Sequence, residues 1–158
     1  MRGGVFVLVL VGCGRINFDE LPDAFDRCAA EQIDLGTWSP PVSVDAINAT
    51  GMQNDDPEPS ADGLELYFTS PRVGSLGMSD LWRVRRATPS DPWGAPEHLD
   101  APLSSTANEN TPGLSSDGLE LWFASDRLGT RLDDLYVATR TALDQPWGIP
   151  RLVDELAS

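Results

Sequence analysis

The feature that most constrains the fold is a segment that occurs twice in the chain, 55 residues apart. Residues 60–72 read SADGLELYFTSPR, and residues 115–127 read SSDGLELWFASDR. In both copies an Asp-Gly pair favours a tight turn, because glycine adopts positive φ without steric cost. The alternating Leu, Glu, Leu, aromatic and Phe that follow are typical of a strand with at least one buried face. Each copy therefore predicts a turn followed by a β-strand.

The repetition extends well beyond these two segments, with one residue lost between the copies after the strand. Self-similarity at a fixed period of this size indicates a repeat architecture, so we expect copies of one module rather than a single duplicated hairpin. The further matches are DLW at 80–82 with DLY at 134–136, Arg86 with Arg140, PWGAP at 92–96 with PWGIP at 146–150, and Trp38-x-x-Pro41 leading to Asp45 with Trp93-x-x-Pro96 leading to Asp100.

Each unit divides into four strand candidates, joined by gaps rich in Pro, Gly, Asn and Asp and without a helical period. Four short antiparallel strands per unit are typical of a β-propeller blade. The sequence therefore predicts an all-β fold of tandem four-stranded antiparallel blades, with units at 38–92 and 93–146 and a third beginning at 147. The predicted strands are 41–45, 57–60, 64–70 and 80–86, then 96–100, 111–115, 119–125 and 134–140.

The repeated pattern resembles a known family. Ser-x-Asp-Gly-x-x-Leu-aromatic-Phe-x-Ser-x-Arg-x-Gly, followed by Asp-Leu-aromatic and a closing Arg, is similar to the WD40-like propeller repeat found in the periplasmic protein TolB. The resemblance covers residues 38–154 and departs at one position, where the first copy has Pro71 and the second has Asp126. It implies a propeller scaffold in the periplasm or at the cell surface, and it implies no reaction.

The number of units bears on how the predicted propeller is completed. Propellers usually close with about four to eight blades, and repeat arrays need about three units to be stable. Two complete units would leave apolar blade faces uncovered. No capping sequence follows Asp154, so we expect the 158 residues to belong to a longer propeller. Self-association of copies through the uncovered blade faces is the alternative.

The N-terminal residues predict export. Residues 5–11 form a short apolar run, and LVGC at 10–13 resembles the lipobox of bacterial lipoproteins, in which Cys13 would be acylated after cleavage. The alternative is a buried N-terminal strand that ends in a chance Cys. Residues 14–37 are acidic and read as a tether. Cys28 lies within it and has no partner if Cys13 is lipidated, so no internal disulfide is expected.

The net charge of the chain limits the partners that it can bind, and the predicted lipid anchor indicates its compartment. The chain has 25 Asp plus Glu against 11 Lys plus Arg, a formal net charge of −14, which disfavours binding to nucleic acid. A lipid at Cys13 would attach the protein to a membrane without a transmembrane helix. The lipobox resemblance implies the cell envelope of a Gram-negative bacterium, on the outer-membrane or periplasmic side.

Several charged residues recur in both units and are candidates for chemistry. Asp62-Gly63 and Asp117-Gly118 offer carboxylates, yet a residue that recurs at a turn is better explained by hydrogen bonds to its own backbone. We also predict ion pairs between neighbouring strands, which recur for the same packing reason. An Arg cluster that grips a substrate carboxylate is the functional alternative. The predicted pairs are Arg72 with Asp80 and Arg127 with Asp134.

Metal, cofactor and catalytic signatures are weak. The oxygen-rich loops 54–56 and 108–110 are candidates for Ca²⁺, but they lack the spacing of a loop that wraps the ion, and we predict no metal or cofactor. His98 is the sole histidine and is not repeated, so a His-based catalytic centre has little support. We interpret Trp38, Trp93 and Trp147 as rings packed between blades rather than as sugar-stacking platforms.

Two classes of function follow from the resemblance. The first is a non-enzymatic lipoprotein whose propeller binds an envelope protein or a cell-wall component through the loops 71–79 and 126–133, where the two copies differ. The second is part of a propeller hydrolase that acts on glycans or peptides. Fold alone does not decide between them.

Overall fold

The computed structural model describes residues 40–48, 53–129 and 132–154, which form eight β-strands and almost no helix. The predicted all-β class is confirmed. All eight strands belong to one compact unit, Val42–Ser158. The predictions for the signal peptide at 1–13, the tether at 14–37, both cysteines and Trp38 lie outside the described residues.

The strands form two antiparallel sheets of four strands each, and in both sheets neighbouring strands follow one another in the chain. Within each sheet the Asp-Gly turn joins the first two strands, as the sequence predicts. Sheet 1 contains β1 (Asp55–Pro59), β2 (Glu65–Ser70), β3 (Asp80–Arg85) and β4 (Glu97–His98). Sheet 2 contains β5 (Glu109–Leu114), β6 (Glu120–Ser125), β7 (Asp134–Thr139) and β8 (Arg151–Leu152).

The boundaries of the sheets differ from the predicted units. The Trp-Gly-x-Pro spacer does not open a new unit, because the strand after it pairs with β3 or β7 and closes the preceding sheet. Backbone bonds from Gly94 N to Arg85 O and from Leu99 N to Leu81 O hold the returning chain along β3. The sheets therefore span 55–98 and 109–152, and residues 41–45 are irregular chain leading into a turn rather than a strand.

A hydrophobic core fills the space between the two sheets. Sheet 1 contributes Tyr67 and Leu81, both 0% exposed, and sheet 2 contributes a face that includes Leu121 and Phe123. Because this core covers the second face of sheet 1, β2 is buried on both sides, whereas β6 alternates between buried and half-buried residues. The remaining buried members of this core are Leu99, Leu103, Tyr136 and Ala138.

A second core lies on the opposite face of sheet 1. Phe68 and Trp82 pack there against Ile47, which comes from the segment before β1. Leu99 and Leu103, from the segment before β5, pack in the same way on sheet 2. The repeated module therefore consists of four strands and the segment that precedes them, and this segment covers one face of its sheet.

The first strand of each sheet has the same irregularity. The register of β1 against β2 shifts between Asp55 and Glu58, and that of β5 against β6 shifts between Asn110 and Gly113. Within these bulges Asp56 and Thr111, at equivalent positions, have φ of 51° and 49°. Positive φ is uncommon for residues other than glycine, so its recurrence indicates that the bulge belongs to the repeated module.

Candidate functional site

The repeated aspartates lie in the turns between the first two strands of each sheet. Asp62 Oδ1 accepts hydrogen bonds from the Ser60 hydroxyl at 2.6 Å and from Leu64 N at 2.9 Å. Asp117 Oδ1 accepts the equivalent bonds from Ser115 and Leu119, at 2.6 and 3.0 Å. These bonds, the hydroxyl bond foremost, lower the pKa of both carboxyls from the ordinary value of 3.8. The carboxylates close turns, as Asx-type hydrogen bonding predicts.

These turns give the fold a dependence on acid. A lowered folded-state pKa contributes stability that is present above the ordinary value and is lost as the pH falls through the folded-state pKa. We expect the urea midpoint of the wild-type protein to fall more between about pH 5 and about pH 2 than that of a variant carrying Asp62→Asn and Asp117→Asn. Asn keeps the acceptor oxygen and does not titrate. Equal acid sensitivity of the two proteins would contradict this role.

The recurring arginines have partners other than those predicted. Arg127 forms its ion pair with Glu109, at 3.1 Å, and not with the predicted Asp134; the carboxylate of Glu109 is fully buried. Its counterpart Arg72 donates to Asn54 Oδ1, the position equivalent to Glu109. Both arginines reach back from the end of the second strand to the segment that precedes the first strand. The repeated Arg therefore joins two segments of its own module.

Asp80 is the predicted partner of Arg72, but its hydrogen bonds lie elsewhere. Its carboxylate accepts the backbone N–H groups of Leu76 and Gly77, which closes the loop between β2 and β3. The same carboxylate lies 2.7 Å from His98 Nε2, while His98 Nδ1 lies 2.7 Å from Asp100 Oδ1. The sole histidine thus joins the start of β3 to the end of β4, and this clamp is not repeated because Leu152 stands at the equivalent position.

The oxygen-rich loops hold protein donors. Glu109 accepts from Ser105 N, from the Ser105 and Ser125 hydroxyls and from Arg127. Asp126, which stands where the first copy has Pro71, accepts from Asn108 N at 2.8 Å and from Asn108 Nδ2 at 3.1 Å. Within 40–48, 53–129 and 132–154, no group of three acidic, His or Cys side chains is arranged to hold a metal ion.

The spacer tryptophans pack against the arginines that close each repeat. The Arg86 guanidinium lies 4.2 Å from the centre of the Trp93 ring, and that of Arg140 lies 4.4 Å from the Trp147 ring. Trp147 also meets Tyr67 of sheet 1 edge to face, with ring centres 6.4 Å apart. The contacts of Trp147 agree with the interpretation of this ring as a packing element between sheets, whereas Trp93 packs against the core on sheet 1.

A cleft of about 460 Å³ lies between the two Asp-Gly turns and is lined by residues of both sheets. A second pocket, of about 420 Å³, is lined by Arg83, Arg85 and residues of the segments 98–103 and 143–147. Glu65 lines the cleft, and its carboxylate accepts from the Tyr67 hydroxyl at 3.0 Å, from Arg83 at 3.1 Å and from Arg140 of sheet 2 at 3.1 Å. Arg83 also pairs with Glu97 at 3.0 Å. Arg83 thus binds two carboxylates of its own sheet, and the Glu65–Arg140 pair joins the two sheets.

Five of the eight large apolar side chains that are exposed in the described residues lie at the opposite end of the sheets, in the loops between the second and third strands. Val73 is 93% and Met78 79% exposed in the β2–β3 loop, where Leu76 is also exposed. Leu128 and Leu132 are exposed in the β6–β7 loop. We call these five side chains the loop surface. Contiguous exposed apolar patches mark interaction sites, whereas single exposed apolar side chains are normal.

Comparison with known proteins leaves the family open. No protein-family model matches the sequence. No curated protein matches it significantly. In the described part of the chain no helix is long and apolar enough to cross a membrane.

Three features of this arrangement are not predicted from the sequence. They are the buried carboxylate of Glu109, the contacts of His98 with two aspartates and the contacts of Glu65 with two arginines. For Glu109 a signal existed, since Asn54 and Glu109 share the 55-residue offset of Arg72 and Arg127. Glu65 recurs as Glu120 in the Leu-Glu-Leu segment. Its partner Arg140 lies in the other sheet, and the spacing of residues within one repeat does not reveal that contact.

Proposed function

We propose that the two sheets are neighbouring blades of a β-propeller of the TolB-like type. Three observations support this architecture: each sheet is a four-stranded meander, the sheets pack face to face, and their first strands lie side by side. Asp56 Oδ2 accepts from Thr111 N at 3.2 Å and Glu58 Oε1 accepts from Leu114 N at 3.3 Å, which joins β1 to β5. In a propeller the innermost strands of adjacent blades meet in this way around the central channel.

On this scaffold the protein acts as a non-enzymatic binding module of the cell envelope. The observation that carries this proposal is the loop surface, which places Val73, Leu76 and Met78 of sheet 1 at the same end as Leu128 and Leu132 of sheet 2. The carboxylates that resemble catalytic groups, Asp62, Asp117 and Glu65, are engaged in turns and in the joint between the sheets. The bound partner is an envelope protein that presents an apolar patch.

The proposed location follows from the N-terminal motif. Acylation at Cys13 anchors the protein to the membrane of a Gram-negative cell envelope, on the outer-membrane or periplasmic side, with residues 14–37 as the tether. Mass spectrometry of the protein recovered from membranes tests this step. The expected result is a diacylglyceryl-modified Cys13 at the N-terminus, and an unmodified Cys13 in a chain that keeps residues 1–12 would contradict it.

The binding role is tested by capture from envelope extracts with the full chain as bait. A variant carrying Val73→Ser and Met78→Ser is expected to lose binding about tenfold or more, because apolar anchors dominate interface energies. Ile149→Ser is the matched control, since Ile149 is 83% exposed in the loop between β7 and β8 at the other end of the sheets. Equal loss in the control would contradict the assignment of the surface.

A parallel screen for glycan and peptide hydrolysis separates the proposal from the enzymatic alternative. No turnover above background is expected. Turnover that disappears on substitution of a cleft carboxylate such as Asp144, by Asp144→Asn, would overturn the non-enzymatic reading.

A further inference from the structure

The second pocket, of about 420 Å³, is built from residues of both sheets. Residues of β3 and β4 line it from sheet 1, and residues 143–147, in the loop between β7 and β8, line it from sheet 2. The linking segment 99–103 completes the wall. Pockets of about 300–1,000 Å³ commonly hold small-molecule ligands, so the size of this pocket suits one.

Two residues that line the pocket carry buried donors without an acceptor. Arg83 Nε and Trp147 Nε1 are buried, and neither has a hydrogen-bond partner in the part of the chain that the structure describes. Arg83 binds Glu65 and Glu97 through its two Nη atoms, and these ion pairs do not use Nε. Buried polar groups in folded proteins are nearly always hydrogen-bonded. Both groups can only donate, so the partner that they require is an acceptor oxygen.

The two donors belong to neighbouring side chains. The Arg83 guanidinium carbon lies 5.9 Å from the centre of the Tyr67 ring, and the Trp147 ring centre lies 6.4 Å from the same point. Arg83 belongs to sheet 1 and Trp147 to the loop before β8 of sheet 2. The unpaired donors thus come from the two sides of one pocket.

The polar residues that sheet 1 contributes to the pocket depart from the repeat. The second module has an uncharged residue at each of their positions, whereas the Asp-Gly turns and the arginines that close each repeat occur in both modules. The differences are Arg83 against Val137, Arg85 against Thr139 and His98 against Leu152. Residues that serve the fold of the module are expected to recur, so their concentration around one pocket indicates a role that belongs to the pocket.

From these observations we infer that the second pocket binds a small uncharged ligand through an amide group. The amide oxygen accepts the N–H groups of Arg83 and Trp147, and the amide N–H donates to Asp144, an exposed carboxylate that lines the pocket. Leu99 and Leu143, which also line it, provide apolar surface for the rest of the ligand. The inference does not depend on the loop surface or on the partner proposed for it, because different residues form the two sites.

The charges around the pocket favour an amide over a carboxylate ligand. Glu97 pairs with both Arg83 and Arg85, at 3.0 and 2.9 Å, so the positive charge of these arginines is already balanced. Asp100 and Asp144 also line the pocket and repel an anion. An amide supplies the acceptor oxygen without a negative charge and adds a donor for a carboxylate.

The test follows the indole N–H signal of Trp147 by NMR in the full chain. The five tryptophans give five such signals, and the one that Trp147→Phe removes is assigned to Trp147. The probes are N-acetylglucosamine and N-acetylleucine amide, which represent the amides of amino sugars and of peptides. At least one is expected to shift the Trp147 signal in a saturable way, and the stronger probe identifies the source of the amide. Glucose and acetate, which lack an amide, are expected to leave the signal unchanged.

Variants separate binding from packing. Trp147→Phe removes the donor but keeps an aromatic ring, and it is expected to weaken probe binding about fivefold or more, measured from the backbone amide signals of residues 143–147. Trp93→Phe makes the same change at the equivalent ring, which does not line the pocket, and is expected to bind as the wild type does. Asp144→Ala, at an exposed position, is expected to weaken binding by a similar factor and serves if Trp147→Phe does not fold.

Three results would each overturn the inference. The first is a Trp147 signal that neither amide probe shifts. The second is an equal shift with glucose or acetate, which would show that the amide is not what the pocket recognises. The third is unchanged affinity in folded Trp147→Phe or in Asp144→Ala, or an equal loss in Trp93→Phe, because the contacts inferred here would then not hold the probe.

Discussion

Replacing Arg127 with Met is expected to lower the free energy of unfolding by about 3–5 kcal/mol, because the substitution leaves a buried carboxylate without its counter-ion. Glu109 is 0% exposed and lies 3.1 Å from the Arg127 guanidinium. The hydroxyls of Ser105 and Ser125 still donate to Glu109 in the variant, but they do not neutralise its charge. Urea unfolding followed by fluorescence measures the loss.

The repeat supplies a matched control for this prediction. Arg72 occupies the equivalent position and lies over two aromatic rings, as Arg127 does, at 4.8 and 5.2 Å against 5.1 and 4.8 Å. Its acceptor is the neutral Asn54, so Arg72→Met is expected to cost only about 1–2 kcal/mol. Equal losses for the two variants would show that the buried charge of Glu109 is not what makes Arg127 important.

Truncation of the core between the sheets is expected to have an effect of similar size. Phe123→Ala removes a side chain that is 0% exposed and stacked on Tyr136, so we expect a loss of about 3–5 kcal/mol. The Phe123→Ala variant is expected to unfold in one transition, because this core contains residues from both sheets. Leu128→Ala, at an exposed loop position, is expected to change stability by about 0.5 kcal/mol or less.

Two transitions in the Phe123→Ala protein, with sheet 1 keeping its wild-type midpoint, would contradict a shared core. Near-ultraviolet circular dichroism and far-ultraviolet circular dichroism should give the same midpoint if unfolding is cooperative. The comparison therefore tests the packing of the sheets as well as the contribution of one side chain.

The central strands could be predicted from the sequence because their local patterns agree with their environment. β2 and β6 follow an Asp-Gly turn and alternate in hydrophobicity, and the structure places them within one residue of the predicted bounds. The outermost strands could not be placed as well. β4 and β8 have two residues each, too few for a period, and only the pairing with β3 and β7 defines the sheet to which they belong.

The charged contacts were harder to predict than the strands. The position of Arg72 and Asp80 at neighbouring strand ends predicts an ion pair between them. In the structure Arg72 instead donates to Ile47 O, and Asp80 accepts from Leu76 N. The Glu65–Arg140 pair joins residues 75 positions apart and depends on how the sheets pack, which no spacing within one repeat reveals. The repeat identifies the charged residues that recur in both sheets. The packing of the sheets determines which residues they contact.

The central claim is that two sheets built from one repeated module pack face to face. Nuclear Overhauser effects between the rings of Tyr67 and Trp147 test it most directly, because the residues belong to different sheets and their ring centres lie 6.4 Å apart. We predict cross-peaks between these rings, together with those across the Phe68–Trp82 and Phe123–Tyr136 strand pairs. Strand-pair signals without any contact between Tyr67 and Trp147 would show that the sheets form separately and would contradict the account.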